Sequence, residues 1–145
     1  MNRAMFVTVL GRLDKADVSK YTEPSFSDVK AGEWYTSYVE WAAANGIVNG
    51  IGGGKYGVTG EITVEQACTV LYRYADGKTA AEKSEKTVAD FTDGDSVSSW
   101  ATTAVKWAVE NGIYEGIGDA LSPTFAASRW LVATMFANYA RTFGA

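Results

Sequence analysis

The side chains that usually carry out chemistry are scarce here, and their spacing excludes more than it allows. There is no histidine and one cysteine, Cys68. A serine or cysteine nucleophile needs a base, and without histidine the common triads cannot be assembled. Internal disulfides and the usual zinc sites fall away for the same reason. Cys68 lies beside the apolar face of a helical stretch and reads as a small buried hydrophobe. Asp90, Asp93 and Asp95 crowd together but lack EF-hand spacing and its closing glutamate. They lie in one loop with no facing carboxylate, so a glycosidase pair is not indicated either. Gly50, Gly52, Gly53, Gly54, Gly57 and Gly60 look like a phosphate cradle. Neither the GxxxxGK[ST] order nor a strand–GxGxxG–helix context accompanies them. The expectation is a protein with no metal, no cofactor and no catalytic apparatus. What remains is the chemistry of helix starts. Thr63 with Gln66 three residues later is a capping box, in which two orphan backbone donors are satisfied reciprocally.

The elements that position these residues follow from apolar spacing. Phe6, Val9, Leu10 and Leu13 predict a first helix from about Arg3 to Leu13. Asp14 to Ser25 is a polar connector closed by Pro24. Trp34, Tyr38, Trp41 and Ala42 fall at i, i+4, i+7 and i+8, one stripe of a second helix. Asn45-Gly46 stops it, because glycine takes the left-handed conformation that a C-terminal cap requires. After the Gly-rich loop, Ala67, Val70, Leu71 and Tyr74 continue the helix opened at Thr63. Asp76 to Thr87 is rich in Lys, Glu, Ala and Ser and reads as solvated linker, with a short helix around Ala80 to Lys86. A further helix from about Ser98 to Asn111 turns Trp100, Ala104, Trp107 and Ala108 inward. The last runs from Arg129 to about Arg141 over Val132, Met135, Phe136 and Tyr139. Short β-like pieces are expected around Gly50 to Tyr56 and Glu115 to Leu121.

These elements repeat. Phe26-Ser27-Asp28 recurs 65 positions later as Phe91-Thr92-Asp93, and Trp34 and Trp41 recur 66 positions later as Trp100 and Trp107. Asn45-Gly46-Ile47 matches Asn111-Gly112-Ile113, and Gly50-Ile51-Gly52 matches Gly116-Ile117-Gly118. The opening at Thr63 matches Ser128 downstream and Asn2 upstream, with Thr8, Thr69 and Thr134 in register. The pattern reads as the second half of a first repeat (1–20), a second repeat (26–76), a linker (77–90) and a third repeat (91–143), within one domain. One helix pair cannot bury its own apolar face, so the repeats should stack on a shared core. At 145 residues and 47% hydrophobic, the chain is long enough for that core. The net charge of −4 argues against a sequence-independent nucleic-acid binder. No apolar run approaches the roughly 18–20 residues of a membrane span, so no membrane insertion is expected.

In this order — Phe-Ser/Thr-Asp, Trp-bearing helix, Asn-Gly-Ile, Gly-rich loop, polar helix start — the chain resembles the S-layer homology family over nearly its whole length. The resemblance implies a mainly α fold of tandem helix–Gly-rich loop–helix repeats around a pseudo-threefold helical core. It also implies a non-catalytic anchor on Gram-positive envelopes, outside the cell in the cell wall or S-layer. Its partner would be secondary cell-wall polysaccharide, often carrying pyruvylated amino sugars, held in grooves between repeats. The family's helix-start motif, usually Ile-Thr-Arg-Ala-Glu, stands here as Asn2-Arg3-Ala4-Met5, Thr63-Val64-Glu65-Gln66 and Ser128-Arg129-Trp130-Leu131. The arginine carries over only at Arg3 and Arg129; Val64 replaces it in the middle copy. Trp130, where the family has a small or acidic residue, is a second departure.

The motif's chemistry suits such a ligand. A helix N-terminus offers unpaired N–H groups and the positive end of the dipole to an anion. Arginine at the first helical position adds a bidentate clamp for a carboxylate such as that of a pyruvyl ketal. The candidate glycan-binding residues are therefore Arg3, Arg129, Thr63 and Ser128 at the helix starts, Trp34 and Trp100 as stacking platforms, and Asp28 and Asp93. Each has a structural alternative: the arginines can pair with a neighbouring acid, the tryptophans can join the core, and the aspartates can cap turns. Trp41 and Trp107, mid-stripe, are core. The other functional reading is a structural module for self-assembly or protein contact. In that case the half-repeat at the start leaves an apolar groove that a second copy would fill, giving a homo-oligomer.

Overall fold

α1 (Arg3–Leu13) begins where Asn2, in extended conformation, accepts the Met5 N–H on its side chain at 2.8 Å. Its inner face carries Phe6, Val7 and Leu10, all essentially inaccessible to solvent. Burying one such side chain contributes roughly 2–3 kcal/mol, so this face anchors the helix. The computed structural model describes residues 1–144. Among them are five α-helices, short 3₁₀ turns and isolated β-bridges, without a regular strand. The fold is mainly α.

The chain divides into two compact units, Met1–Ile62 and Thr63–Ala145. In the first, α1 packs on α2 (Thr36–Ala44). The two approach closely at Gly11, where an added Cβ would lie 2.5 Å from the Tyr38 ring. α2 ends in the cap expected at Gly46. The Gly46 N–H reaches the Ala43 carbonyl and the Ile47 N–H reaches Ala42, with Gly46 at φ +70°. Trp34 falls in the turn ahead of α2 rather than on its stripe. The Thr36 hydroxyl donates to the Lys30 carbonyl and accepts the Glu33 N–H, so helical geometry starts only at Thr36.

In the second unit α3 (Val64–Ala75) packs on α4 (Thr102–Glu110), followed by α5 (Arg129–Phe143). The capping box at Thr63 and Gln66 is formed. A 3₁₀ turn, Ser99–Ala101, leads into α4, and Trp100 sits in it. The helix expected around Ala80 to Lys86 does not form. Its backbone donors are engaged elsewhere: the Ala80 N–H bonds Asn111 Oδ1 at 2.6 Å and the Ser84 N–H bonds the Glu110 carbonyl at 2.8 Å. A helix would aim the Ser84 N–H at the Ala80 carbonyl, so its bond to Glu110 takes the place of that i→i−4 bond. The β-like pieces reduce to single bridges, Gly52 with Lys55 and Ile117 with Ala120.

The repeat is legible bond by bond. Thr8, Thr69 and Thr134 each donate the side-chain hydroxyl to the carbonyl four residues back. Asn45 and Asn111 each donate the side-chain amide to the carbonyl of Trp41 or Trp107 at 2.8 Å. Both of those tryptophans are core residues, 7% and 6% exposed.

Candidate functional site

Three helix starts carry the motif, and their backbone donors meet different fates. At α3 the first turn is closed. The Val64 N–H bonds the Phe125 carbonyl at 2.9 Å, and the Glu65 N–H bonds Pro123 at 2.8 Å. The Gln66 N–H bonds Thr63 Oγ1, and the Gln66 side chain returns the bond to the Thr63 N–H. Donors paired with protein carbonyls cannot also serve an anion. With valine in place of arginine and these donors paired, the first turn of α3 is closed by the protein itself.

At α1 the Arg3 N–H bonds the Gly60 carbonyl at 2.9 Å. The guanidinium, in a residue only 9% exposed, turns into the Gly-rich loop. Its Nε donates to the Tyr56 carbonyl at 3.0 Å and Nη2 to Asn49 at 3.2 Å, and it lies 4.8 Å over the Tyr56 ring. The Tyr56 hydroxyl returns a bond to the Arg3 carbonyl at 3.0 Å. Arg3 and Tyr56 thus clasp each other across 53 residues of chain. Burial drives the Tyr56 phenol well above its ordinary value, with Arg3 opposing that shift and Asp28 adding to it, so it remains a donor. At α5 Ser128 accepts the Leu131 N–H at 3.1 Å, while Ser128 and Arg129 face solvent. Trp130 is 75% exposed.

The two aspartates hold the glycine-bearing loops. Asp28 accepts the N–H groups of Tyr56, Gly57 and Val58 at 2.7, 2.8 and 3.2 Å. Partial burial pushes its carboxyl up, but those three donors outweigh it and the net shift is downward. Asp93 accepts from Leu121 at 2.6 Å and Ser122 at 2.9 Å. The Leu121 bond lowers its carboxyl against a smaller burial effect, with Ser122 adding to the drop. Arg3 and Asp28 therefore converge on one stretch, Tyr56 to Val58, from opposite charges. In the second unit Tyr114 donates its hydroxyl to the Leu121 carbonyl, so Tyr114 and Asp93 grip that loop together.

Of the candidate residues, Arg3, Asp28 and Trp34 lie in the first unit. Thr63, Asp93, Trp100, Ser128 and Arg129 lie in the second. Trp34 and Trp100 are 53% and 57% exposed, which leaves their rings available for stacking. Trp34 leans edge-on against Tyr35 with centroids 5.1 Å apart. Sequence reasoning missed the closure of α3 by the Pro123–Phe125 carbonyls, since backbone acceptors have no residue signature. It also missed the Arg3–Tyr56 clasp, for which the only signal was a tyrosine inside an otherwise small-residue loop.

The family described as the S-layer homology domain matches residues 25–68 and 90–128, together more than half of the chain. The chain is 31% identical over 116 residues to an amylopullulanase of Thermoanaerobacterium thermosulfurigenes, covering 80% of this chain and 6% of the relative. Exoglucanase XynX of Acetivibrio thermocellus is 30% identical over 116 residues, 80% of this chain and 10% of that protein. A surface-layer 125 kDa protein of Lysinibacillus sphaericus is 29% identical over 92 residues, 63% and 7% respectively. The chain thus spans a tenth or less of the length of these relatives.

Proposed function

The chain belongs to the S-layer homology family, a cell-surface anchoring module, and on that premise we propose that it binds an acidic cell-wall polysaccharide through its arginine-bearing helix starts. The observation that supports this reading is the solvent exposure of Arg129 at a helix start. It stands at the first position of α5, solvent-facing, with Ser128 capping the turn beneath it. A carboxylate there meets a guanidinium fork and the positive end of a helix dipole at once. A pyruvyl ketal on an amino sugar supplies such a carboxylate. Its sugar ring offers an apolar face for an exposed tryptophan such as Trp100 or Trp34.

The arginines divide the work. Arg129 makes the clamp, while Arg3 braces the Gly-rich loop and presents its uncommitted N–H groups from that fixed position. Thr63 serves the fold, and Asp28 and Asp93 keep the loops in shape without touching the ligand. The surface-layer protein and the two long carbohydrate-active enzymes among the relatives suit an anchor that carries varied cargo. Calorimetric titration with a pyruvylated wall-polymer fragment tests the clamp. Arg129→Ala should weaken binding about 10-fold or more, the loss of one charge-assisted bidentate pair, in a variant that still folds. Wild-type affinity in that variant would remove Arg129 from the site.

A further inference from the structure

The sequence holds three Asn-Gly peptides, at 45–46, 49–50 and 111–112. Such a pair is chemically labile, because the glycine nitrogen can attack the asparagine side chain with no side chain of its own in the way. The structure disarms two of them. Asn45 donates its side-chain amide to the Trp41 carbonyl at 2.8 Å, and the Gly46 N–H bonds the Ala43 carbonyl at 3.2 Å. Asn111 is held at both ends of its amide, donating to Trp107 at 2.8 Å and accepting the Ala80 N–H at 2.6 Å. The Gly112 N–H bonds the Val109 carbonyl at 3.1 Å. In both copies the amide and the attacking nitrogen are fixed in a helix cap.

Asn49-Gly50 is different. Both residues face solvent. Among the described residues, neither the Asn49 side chain nor the Gly50 N–H makes a hydrogen bond. The peptide between them meets a cation instead. Arg3 Nη2 donates to the Asn49 carbonyl at 3.2 Å, and that carbonyl shares its peptide unit with the Gly50 nitrogen. Deprotonating the nitrogen spreads its negative charge onto this oxygen, where the guanidinium stabilises it. A cation at such range favours the anion by about one pK unit or more, roughly 10-fold in its population. The fold also demands glycine here, since an added Cβ would lie 2.5 Å from the Lys55 carbonyl and 3.0 Å from the Phe26 ring. The repeat register puts Glu115-Gly116 in this place and Val64 in place of Arg3. The second unit therefore lacks both the amide and the cation.

We propose that Asn49-Gly50 is a self-modification site at which Arg3 activates the glycine nitrogen. The Gly50 nitrogen gives its proton to a solvent base and bonds to Asn49 Cγ. The Cγ–Nδ2 bond breaks, and the nitrogen leaves as ammonia after taking a proton from water. Water then opens the resulting succinimide without any redox change. Cleavage at Cγ gives an aspartyl residue, and cleavage at the α-carbonyl gives an isoaspartyl residue whose chain runs through the former side chain. Either product sets a carboxylate at position 49, beside a guanidinium that had bonded a neutral carbonyl. In the isoaspartyl product the oxygen that Arg3 holds becomes part of that carboxylate. The arginine of the α1 start is thereby drawn into an internal ion pair. This chemistry stands whether or not the helix starts bind a glycan.

The test is peptide mapping of the intact folded chain during incubation in mildly alkaline buffer, with electron-transfer fragmentation to separate Asn45 from Asn49 and aspartyl from isoaspartyl products. Asn49 should convert about 10-fold or more faster than Asn45 and Asn111, and in concentrated urea the three rates should converge. Leadership by Asn45 or Asn111 in the folded chain, or the same preference in urea, would overturn the proposal. The part played by Arg3 is read without any variant from amide exchange, which passes through the same nitrogen anion. After correction for sequence effects, the Gly50 N–H should exchange about 10-fold faster than the exposed Gly53 N–H of the same loop. Equal exchange would remove the arginine from the mechanism. Arg3→Gln should slow Asn49 conversion and Arg3→Lys, which keeps the charge, should largely restore it; a folded Arg3→Gln chain converting at the wild-type rate would count equally against activation.

Discussion

Asp28 shows how a residue that invites a ligand role can be consumed by architecture. Its three backbone donors make it a keystone of the Gly-rich loop, and Asp28→Ala leaves them unpaired. The expected cost is about 2–3 kcal/mol, read as a lower midpoint in urea unfolding. The pH dependence follows from the downward shifts of Asp28 and Asp93. A carboxyl with a depressed native value gives stability that is complete above its unfolded value of about 3.9 and is lost as pH falls through the native value. The Tm gap between wild type and Asp28→Asn should therefore be constant from neutral pH to about 5 and shrink below about 4. A gap that widened in acid would contradict the assignment. Cys68 makes the opposite case, where the sequence reading and the structure coincide: it is fully buried, and burial reinforced by Glu65 pushes its thiol up to about 12. It should react with a thiol reagent at pH 8 only as fast as the protein unfolds. The aspartates' partners were not readable because backbone N–H groups carry no side-chain signature.

Elements whose limits are set by neighbours in sequence were legible; those set at a distance were not. α1 runs from Arg3 to Leu13 as the pattern predicted, because the Asn2 cap and the apolar stripe are both local. The Thr63–Gln66 box is local too, and Thr63→Ala should cost about 1 kcal/mol. α2 started late because Thr36 bonds back to Lys30. The 80–86 helix failed because the Ser84 N–H bonds the Glu110 carbonyl on α4 instead of the Ala80 carbonyl. Gly116 tests the loop geometry most sharply. It has φ +83°, and an added Cβ would lie 2.3 Å from the Phe91 ring and 3.0 Å from the Ala120 carbonyl. Gly116→Ala should destabilise by more than about 1 kcal/mol, because strain at positive φ and steric overlap add. An unchanged Tm would show that Phe91 yields freely.

For the whole molecule, the internal repeat was the most informative feature of the sequence. It fixed the α class, the Trp41 and Trp107 cores and the family before any side-chain contact was known. It showed Val64 in place of the arginine in the middle copy, but not that the Arg3 guanidinium is folded into the Gly-rich loop. One start is closed by backbone carbonyls, one is folded into a loop, and one faces solvent.

The most direct measurement is co-sedimentation of the folded chain with Gram-positive walls before and after chemical removal of the secondary polymer. The chain should pellet with intact walls only, and Arg129→Ala should pellet markedly less. Equal pelleting with stripped walls, or none with either from a folded sample, would contradict this expectation.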